Sequence, residues 1–258
     1  MKIAITGKGG VGKTTLAAGL AILFSRQGKR VFAIDADPDA NLALSLGFPE
    51  PSQIKPLIEM KQLIGERTGT KSGGLNPYFK LNPRVDDIPE KYFAHYKGIN
   101  LAVMGTVRGG GLGCACPENA FLKALLGHLI LERREIVILD MEAGIEHLGR
   151  GTARGVDKMI IVVEPGTRSV ETAFRIKHLA EDIGVKNIAV VGNKIRHNSD
   201  KEFLKAHMPH FNFLGFIRYD EKILEADLNN TSSLELNTEL MEEVEKIAEE
   251  IVANKVIT

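Results

Sequence analysis

Cysteine is nearly absent from this chain. Only Cys114 and Cys116 occur in 258 residues, too few for a disulfide scaffold. Net charge is absent as well, with 33 basic residues against 33 acidic ones. That balance gives no support to bulk nucleic-acid binding, which needs a basic surface. No apolar run reaches the roughly 18 residues of a membrane span, and no apolar stretch of the secretory kind follows the first lysine. No repeat or low-complexity tract is evident. These absences lead us to expect a cytoplasmic protein with neither a membrane nor a nucleic-acid partner. The chain is 44% hydrophobic, enough for one sizeable core or two small ones. A single domain over 1–258 is expected.

What is present is concentrated near the start. Lys2 to Thr6 reads as a short buried strand, and Thr14 to Phe24 as a helix with Leu16, Leu20, Leu23 and Phe24 at helical spacing. Between them Gly7-Lys8-Gly9-Gly10-Val11-Gly12-Lys13-Thr14 fits G-x-x-x-x-G-K-[ST], with Thr15 following. A phosphate chain is polyanionic and needs many donors at close range. Glycines let the backbone wrap with its N–H groups inward, and the helix N-terminus adds partial positive charge. Lys13 is expected to reach the β- and γ-phosphates, and the Thr14 hydroxyl to ligate Mg²⁺.

Val31 to Ile34 is a second buried strand, ending in Asp35-Ala36-Asp37-Pro38-Asp39-Ala40-Asn41. Ligands of a doubly wound sheet bind at its C-terminal edge. A carboxylate there can hold a water on Mg²⁺, and another can orient the attacking water. Asp39 and Asn41 read equally as helix caps. Ile136 to Leu139 is a third apolar strand and ends in Asp140, a pattern that holds the Mg²⁺ shell. Met141 to Gly144 follows with the spacing D-x-x-x-G, in which the Gly144 N–H can sense the γ-phosphate. Glu142, Glu146 and His147 beside it read as solvated residues before ligands. Asn187 to Gly192 reads as a strand ending in Asn193, whose amide can pair with adenine. Arg196 stands where a guanine site would need a carboxylate, so ATP is preferred over GTP.

These motifs resemble the deviant Walker A ATPases, which include the nitrogenase iron protein and the Min and Par ATPases. The residues that carry the likeness are Lys8 to Thr15, Asp35 to Pro38 and Asp140 to Gly144. It implies that Lys8 crosses a homodimer interface to the partner's nucleotide, that Asp37 orients water with Asp35 near the magnesium shell, and that Asn193 contacts adenine. Arg218-Tyr219-Asp220 stands where this family often has a proline. Strands alternating with helices imply an α/β fold, a doubly wound and mostly parallel sheet with helices on both faces.

The two cysteines follow a glycine-rich stretch, Gly109-Gly110-Gly111-Leu112-Gly113, and precede a helix expected to begin near Pro117. Its apolar face would be Ala120, Leu122, Leu125, Leu126 and Leu129. A helix N-terminus favours thiolate. In a cytoplasmic protein such a pair reads as metal or redox groups before a structural bridge. One chain offers two sulfurs, whereas a closed soft-metal site usually takes four. A twofold axis would supply the rest from a second chain. With this loop included, the chain is similar over nearly its whole length to the carbon monoxide dehydrogenase nickel-insertion ATPases of the CooC type. That implies Ni or Zn held by Cys114 and Cys116 of two subunits, ATP and Mg²⁺ as cofactors, and carbon monoxide dehydrogenase as client. An iron–sulfur electron-transfer ATPase and a partition ATPase are the alternatives.

Residues 47–97 are read as an irregular insertion, a lid, an interface or a cover for the sheet, with a short helix over Ile54 to Arg67 and loop elsewhere. Ser169 is expected to cap a helix, and Phe211 to Ile217 to form the last strand. Leu236 to Asn254 reads as a closing helix with Leu240, Val244, Ile247 and Ile251 as its stripe. Its acidic outer face would be repelled by anionic lipid, against a Min-type anchor.

Overall fold

The computed structural model describes residues 1–70, 78–105, 116–144, 148, 150–223, 234 and 237–253. The strands are β1 (Lys2–Gly7), β2 (Val31–Ala36), β3 (Ala94–Tyr96), β4 (Ile99–Val103), β5 (Ile136–Met141), β6 (Lys158–Val163), β7 (Ile188–Ile195) and β8 (Phe213–Arg218). They form one sheet in the order β3-β4-β2-β5-β1-β6-β7-β8. All pairings are parallel except that of β3 with β4. β1, β2, β4 and β6 are buried along their whole length. That burial explains their continuous Val/Ile/Ala runs, since a parallel sheet is covered on both faces and has no use for alternation.

The helices are α1 (Lys13–Arg26), α2 (Leu42–Ser45), α3 (Lys61–Thr68), α4 (Ile88–Tyr92), α5 (Pro117–Gly127), α6 (Arg150–Ala153), α7 (Thr167–Ile183), α8 (Asn198–His207) and α9 (Thr238–Ala253). A π-helical turn, His128–Glu132, continues α5. On one face Leu16 and Leu20 of α1 and Val244 and Ile247 of α9 pack with Ile3, Ile5 and Ala33 of the sheet. Gly19 permits this layering, because a Cβ there would stand 3.0 Å from a Val244 methyl. On the other face Phe121 and Leu125 of α5, Ile176 of α7 and Leu204 of α8 cover Phe32, Leu139 and Ile161. Fully burying such side chains contributes about 1.5–3 kcal/mol each. Among the described residues no helix is long and apolar enough to cross a membrane.

The expected stripes of α5 and α9 are buried. Three local expectations need correction, and one helix is additional. The single helix over Ile54 to Arg67 is a 3₁₀ turn, Leu57–Glu59, that starts after Pro56 and is followed by α3; Met60, with a non-helical ψ of 58°, separates the parts. Ser169 does not cap α7, which begins two residues earlier at Thr167; its hydroxyl instead accepts the Glu164 N–H at 3.1 Å. The insertion is more regular than a loop, for it supplies α4 and the antiparallel edge strand β3. The β3–β4 hairpin turns on Lys97 and Gly98, both at positive φ (46° and 78°), the geometry of a two-residue type I′ turn. Lysine is an uncommon residue for that conformation, so no hairpin signal is visible in the chain. Leu57, Leu63, Ile64, Val85 and Ile88 of the insertion are buried against the α5 side of the sheet, the arrangement of a cover. Finally, α8 was not anticipated; it carries a capping box between His197 and Asp200.

Candidate functional site

The strand order sets the C-terminal ends of β2, β5, β1, β6 and β7 side by side. Asp35, Asp140, Gly7, Glu164 and Asn193 therefore converge on one edge. Gly7 to Gly12 link β1 to α1, and the Gly12 carbonyl accepts the first bond of the helix, from Leu16 N–H at 3.2 Å. Gly12 has φ +95°, and a Cβ there would fall 2.1 Å from the Asn193 amide nitrogen. Only glycine satisfies both the conformation and the approach. Lys13 is 6% exposed, and its ammonium lies 3.3 Å from Asp37 Oδ2.

Asp35 is fully buried and bonded to backbone through both oxygens. It accepts Asp37 N–H at 3.2 Å and Leu42 N–H at 2.9 Å. It thus ties down the loop that carries Asp37 and caps α2, the role Asn41 was expected to fill; Asn41 stands at the N-cap position without a side-chain cap bond. Asp37 in turn accepts Asp39 N–H. Asp140 pairs in register with Asp35 on the neighbouring strand. Its two oxygens are buried with no partner in hydrogen-bonding geometry, although the Thr14 hydroxyl and the Lys13 ammonium lie close enough to favour its ionised form. Burial raises Asp140 to about 6. Burial, then the proximity of Asp140, raises Asp35 to about 7.

On the other flank a carboxylate bridges two lysines. Glu164 Oε1 lies 3.4 Å from Lys8 Nζ, and Oε2 lies 3.4 Å from Lys194 Nζ. Lys194 Nζ also donates to the Gly10 carbonyl at 2.6 Å, and Asn193 Nδ2 donates to the Val11 carbonyl at 2.7 Å. Asn193 Oδ1 accepts the Lys194 N–H. Beside them the Arg196 guanidinium lies 3.7 Å over the Tyr219 ring. Glu164 and Lys194 had no role in the sequence reading. The available signal was position alone, since both end strands at the ligand edge of the sheet.

Of the expected metal pair, Cys116 is the N-cap of α5 and half-buried. It lines a groove of about 840 Å³ with Lys123 and His128 of the α5 side and Arg84 of the insertion. Cys114 lies outside the described residues, as do Glu146, His147 and the glycine-rich stretch before the cysteines. Among the described residues no group of three or more metal-ligating side chains is assembled.

A family model described as the CobQ/CobB/MinD/ParA nucleotide-binding domain matches residues 2–234. The chain belongs to this nucleotide-binding family. Within it the chain is 48% identical over 239 residues to the carbon monoxide dehydrogenase accessory protein CooC of Rhodospirillum rubrum, covering 92% of this chain and 90% of that one. That likeness places it in the CooC-type branch. It is also 47% identical, over 99% of both chains, to an uncharacterized ATP-binding protein of Methanocaldococcus jannaschii. Among solved structures the MinC:MinD cell division complex of Aquifex aeolicus superposes with a TM-score of 0.69 at 20% identity, covering 98% of this chain and 96% of that one. The last comparison bears on the fold alone: this CooC-type chain has the MinD/ParA-like P-loop architecture expected of it.

Proposed function

We propose that this chain is a Mg²⁺-dependent ATPase that works as a homodimer and delivers nickel to carbon monoxide dehydrogenase. Support for the nucleotide half comes from one observation: a buried, partnerless Asp140 carboxylate beside a phosphate loop, Lys13 and Asp35. Two adjacent buried acids with raised pKa values are a site short of positive charge, and their oxygen chemistry suits Mg²⁺. The residues that would hold the ion are Thr14, Asp35 and Asp140. Bound there, it would neutralise charge developing on the phosphate oxygens.

The chain's own groups do the rest. Arrival of phosphates draws Lys13 off Asp37. The freed Asp37 carboxylate orients the water that attacks the γ-phosphorus. Backbone N–H groups of Gly9 to Thr15 hold the phosphates, and Asn193 faces the base. Lys8 leaves Glu164 and crosses to the nucleotide of the second subunit. Cys114 and Cys116 of both subunits then meet on the twofold axis and bind the cargo, nickel or zinc. Hydrolysis loosens Met141 to Gly144 and releases the ion. The likeness to CooC supports carbon monoxide dehydrogenase as client.

The test is metal stoichiometry on size-fractionated protein, wild type against Cys114→Ser/Cys116→Ser. A single nickel shared by a dimer and lost in the double variant is expected. Unchanged binding in the variant, or none in wild type, would leave an ATPase of this family without a thiolate cargo site. A broad brown absorption band under anaerobic conditions would instead favour an iron–sulfur cluster.

A further inference from the structure

The end of β7 touches the phosphate loop in a way that neither base recognition nor phosphate binding requires of it. β7 loses register with β8 between Gly192 and Ile195. Within that irregularity Lys194 takes φ +58°, a left-handed backbone that is costly for a residue with a side chain. The kink has a visible consequence. In a regular strand two successive side chains point to opposite faces, yet here Asn193 and Lys194 both reach the loop. They donate to two successive carbonyls, Val11 at 2.7 Å and Gly10 at 2.6 Å. Glu164 braces the Lys194 ammonium from the far side at 3.4 Å. The Asn193 carbonyl oxygen is itself fixed by the Lys194 N–H at 2.8 Å.

Gly10 has φ +77° and Gly12 +95°. A loop with glycines in that region has other conformations open to it, and its peptide planes can flip. A peptide whose carbonyl is held outward must present the attached N–H on the opposite side. Pinning the Val11 carbonyl to β7 therefore sets the Gly12 N–H on the opposite side of that peptide, available to an anion. The Gly10–Val11 peptide, held by Lys194 at its carbonyl, gives its N–H to the Lys8 carbonyl at 3.4 Å and so fixes the turn of the loop.

We infer that Asn193 and Lys194 are positioning residues for the phosphate loop, acting on the phosphate chain of any nucleotide whatever its base. The inference rests on the nucleotide-binding reading and deepens it. Contact of Asn193 with adenine would use the amide's remaining N–H and lone pair and would be secondary.

The test compares binding of Mg²⁺ complexes of ATP, GTP and inorganic tripolyphosphate, by calorimetry on the full chain. Variants are Asn193→Ala, Lys194→Ala, Lys194→Gly and Lys194→Arg. Losing a charge-assisted bond to the loop is expected to weaken all three ligands about tenfold and by the same factor. Lys194→Gly keeps the left-handed backbone without strain but removes the ammonium, and should bind as weakly as Lys194→Ala. Lys194→Arg restores a donor and most of the affinity. Should Asn193→Ala fail to fold, as judged by circular dichroism, the Lys194 series decides, because that side chain is 41% exposed and its loss leaves the core intact. A loss confined to ATP, with tripolyphosphate unaffected, would overturn the inference while sparing the nucleotide site. Wild-type affinity in Lys194→Gly would overturn it as well. A wild type that binds none of the three would overturn the nucleotide reading itself.

Discussion

The two edges of the sheet treat charge in opposite ways. At the N-terminal edge most charges are matched. The Lys2 ammonium donates to the Glu135 carbonyl at 3.1 Å, and the amino terminus lies 3.9 Å from Asp157. Arg133 spans Glu90 at 2.8 Å and Glu135 at 2.7 Å. Lys158 is the exception, buried with no hydrogen-bond partner, its pKa lowered by burial and partly restored by Glu250. At the C-terminal edge Asp35 and Asp140 are buried side by side with raised pKa values, and Lys13, the cation that acts on Asp140, is paired with Asp37. A stable edge satisfies its charges from within the chain. A binding edge leaves them for a ligand, and the stability it forgoes is recovered on binding.

The sharpest way to break this contrast is at Lys13. Lys13→Ala removes the ammonium that both phosphate binding and charge stabilisation rely on. Turnover measured by phosphate release should fall by at least about 10²–10³-fold, while far-UV circular dichroism stays unchanged. Robust hydrolysis by this variant would remove the phosphate assignment. The metal stoichiometry of any preformed dimer should be spared.

Asp140 tests the same edge through pH. Its folded pKa, and that of Asp35, lie above the ordinary carboxylate value of 3.8, at about 6 and about 7. Between pH 4 and 7 the folded chain therefore binds more protons than the unfolded one. The ligand-free protein should lose stability as pH rises through that window. Asp140→Asn removes one of the two charges, so its ligand-free melting temperature at pH 8 should exceed that of wild type by several degrees, at about 2–4 °C per kcal/mol. Its hydrolysis should nevertheless collapse. Mg²⁺·ATP should flatten the pH dependence of wild type and leave that of the variant unchanged. A wild type whose ligand-free stability climbs from pH 5 to 8 would contradict the picture of an uncompensated acid pair.

Much of the binding edge could be read from the chain. The phosphate loop and the aspartates ending β2 and β5 are local patterns, and a parallel sheet converts strand order into adjacency. Glu164 and Lys194 escaped because their roles depend on contacts across 156 and 184 residues and on a strand irregularity without a sequence signature. Asn41 was a reasonable cap by type, yet Asp35 already occupies the Leu42 N–H. β3 was hidden by a Lys-Gly turn, and α8 by its short apolar stripe, in which Leu204 is the buried residue. Cys114 lies outside the described residues, so the thiolate pair stands on the sequence and on Cys116.

Glu164 offers a smaller test on the same edge. Its pairs with Lys8 and Lys194 are partly exposed, at 40% and 41% for the two lysines, so each is weak. Glu164→Gln frees Lys8 for the partner subunit and unbraces Lys194. ATP-driven dimerisation, followed by light scattering against protein concentration, should strengthen by a few-fold, and affinity for nucleotide in the monomer should weaken by a few-fold. No change in either quantity would show that the bridge restrains neither lysine.

The smallest effect belongs to the opposite edge. Glu90 is 42% exposed and joins Arg133 at 2.8 Å and Arg30 at 3.4 Å. Both guanidinium groups also lie over the Phe32 ring, at 4.9 and 5.2 Å from its centroid. That stacking, and the Glu135 carboxylate at 2.7 Å from Arg133 and 3.7 Å from Arg30, remain when Glu90 is removed. Glu90→Ala should therefore cost about 0.5 kcal/mol and shift the melting temperature by about 1–2 °C, less at high salt. Its turnover and KM for ATP should equal those of wild type. The variant removes one carboxylate, as Asp140→Asn does, but from an edge where the chain supplies the counter-charge itself. If Glu90→Ala changed turnover without changing the melting temperature, the division of the sheet into a binding edge and a supporting edge would fail.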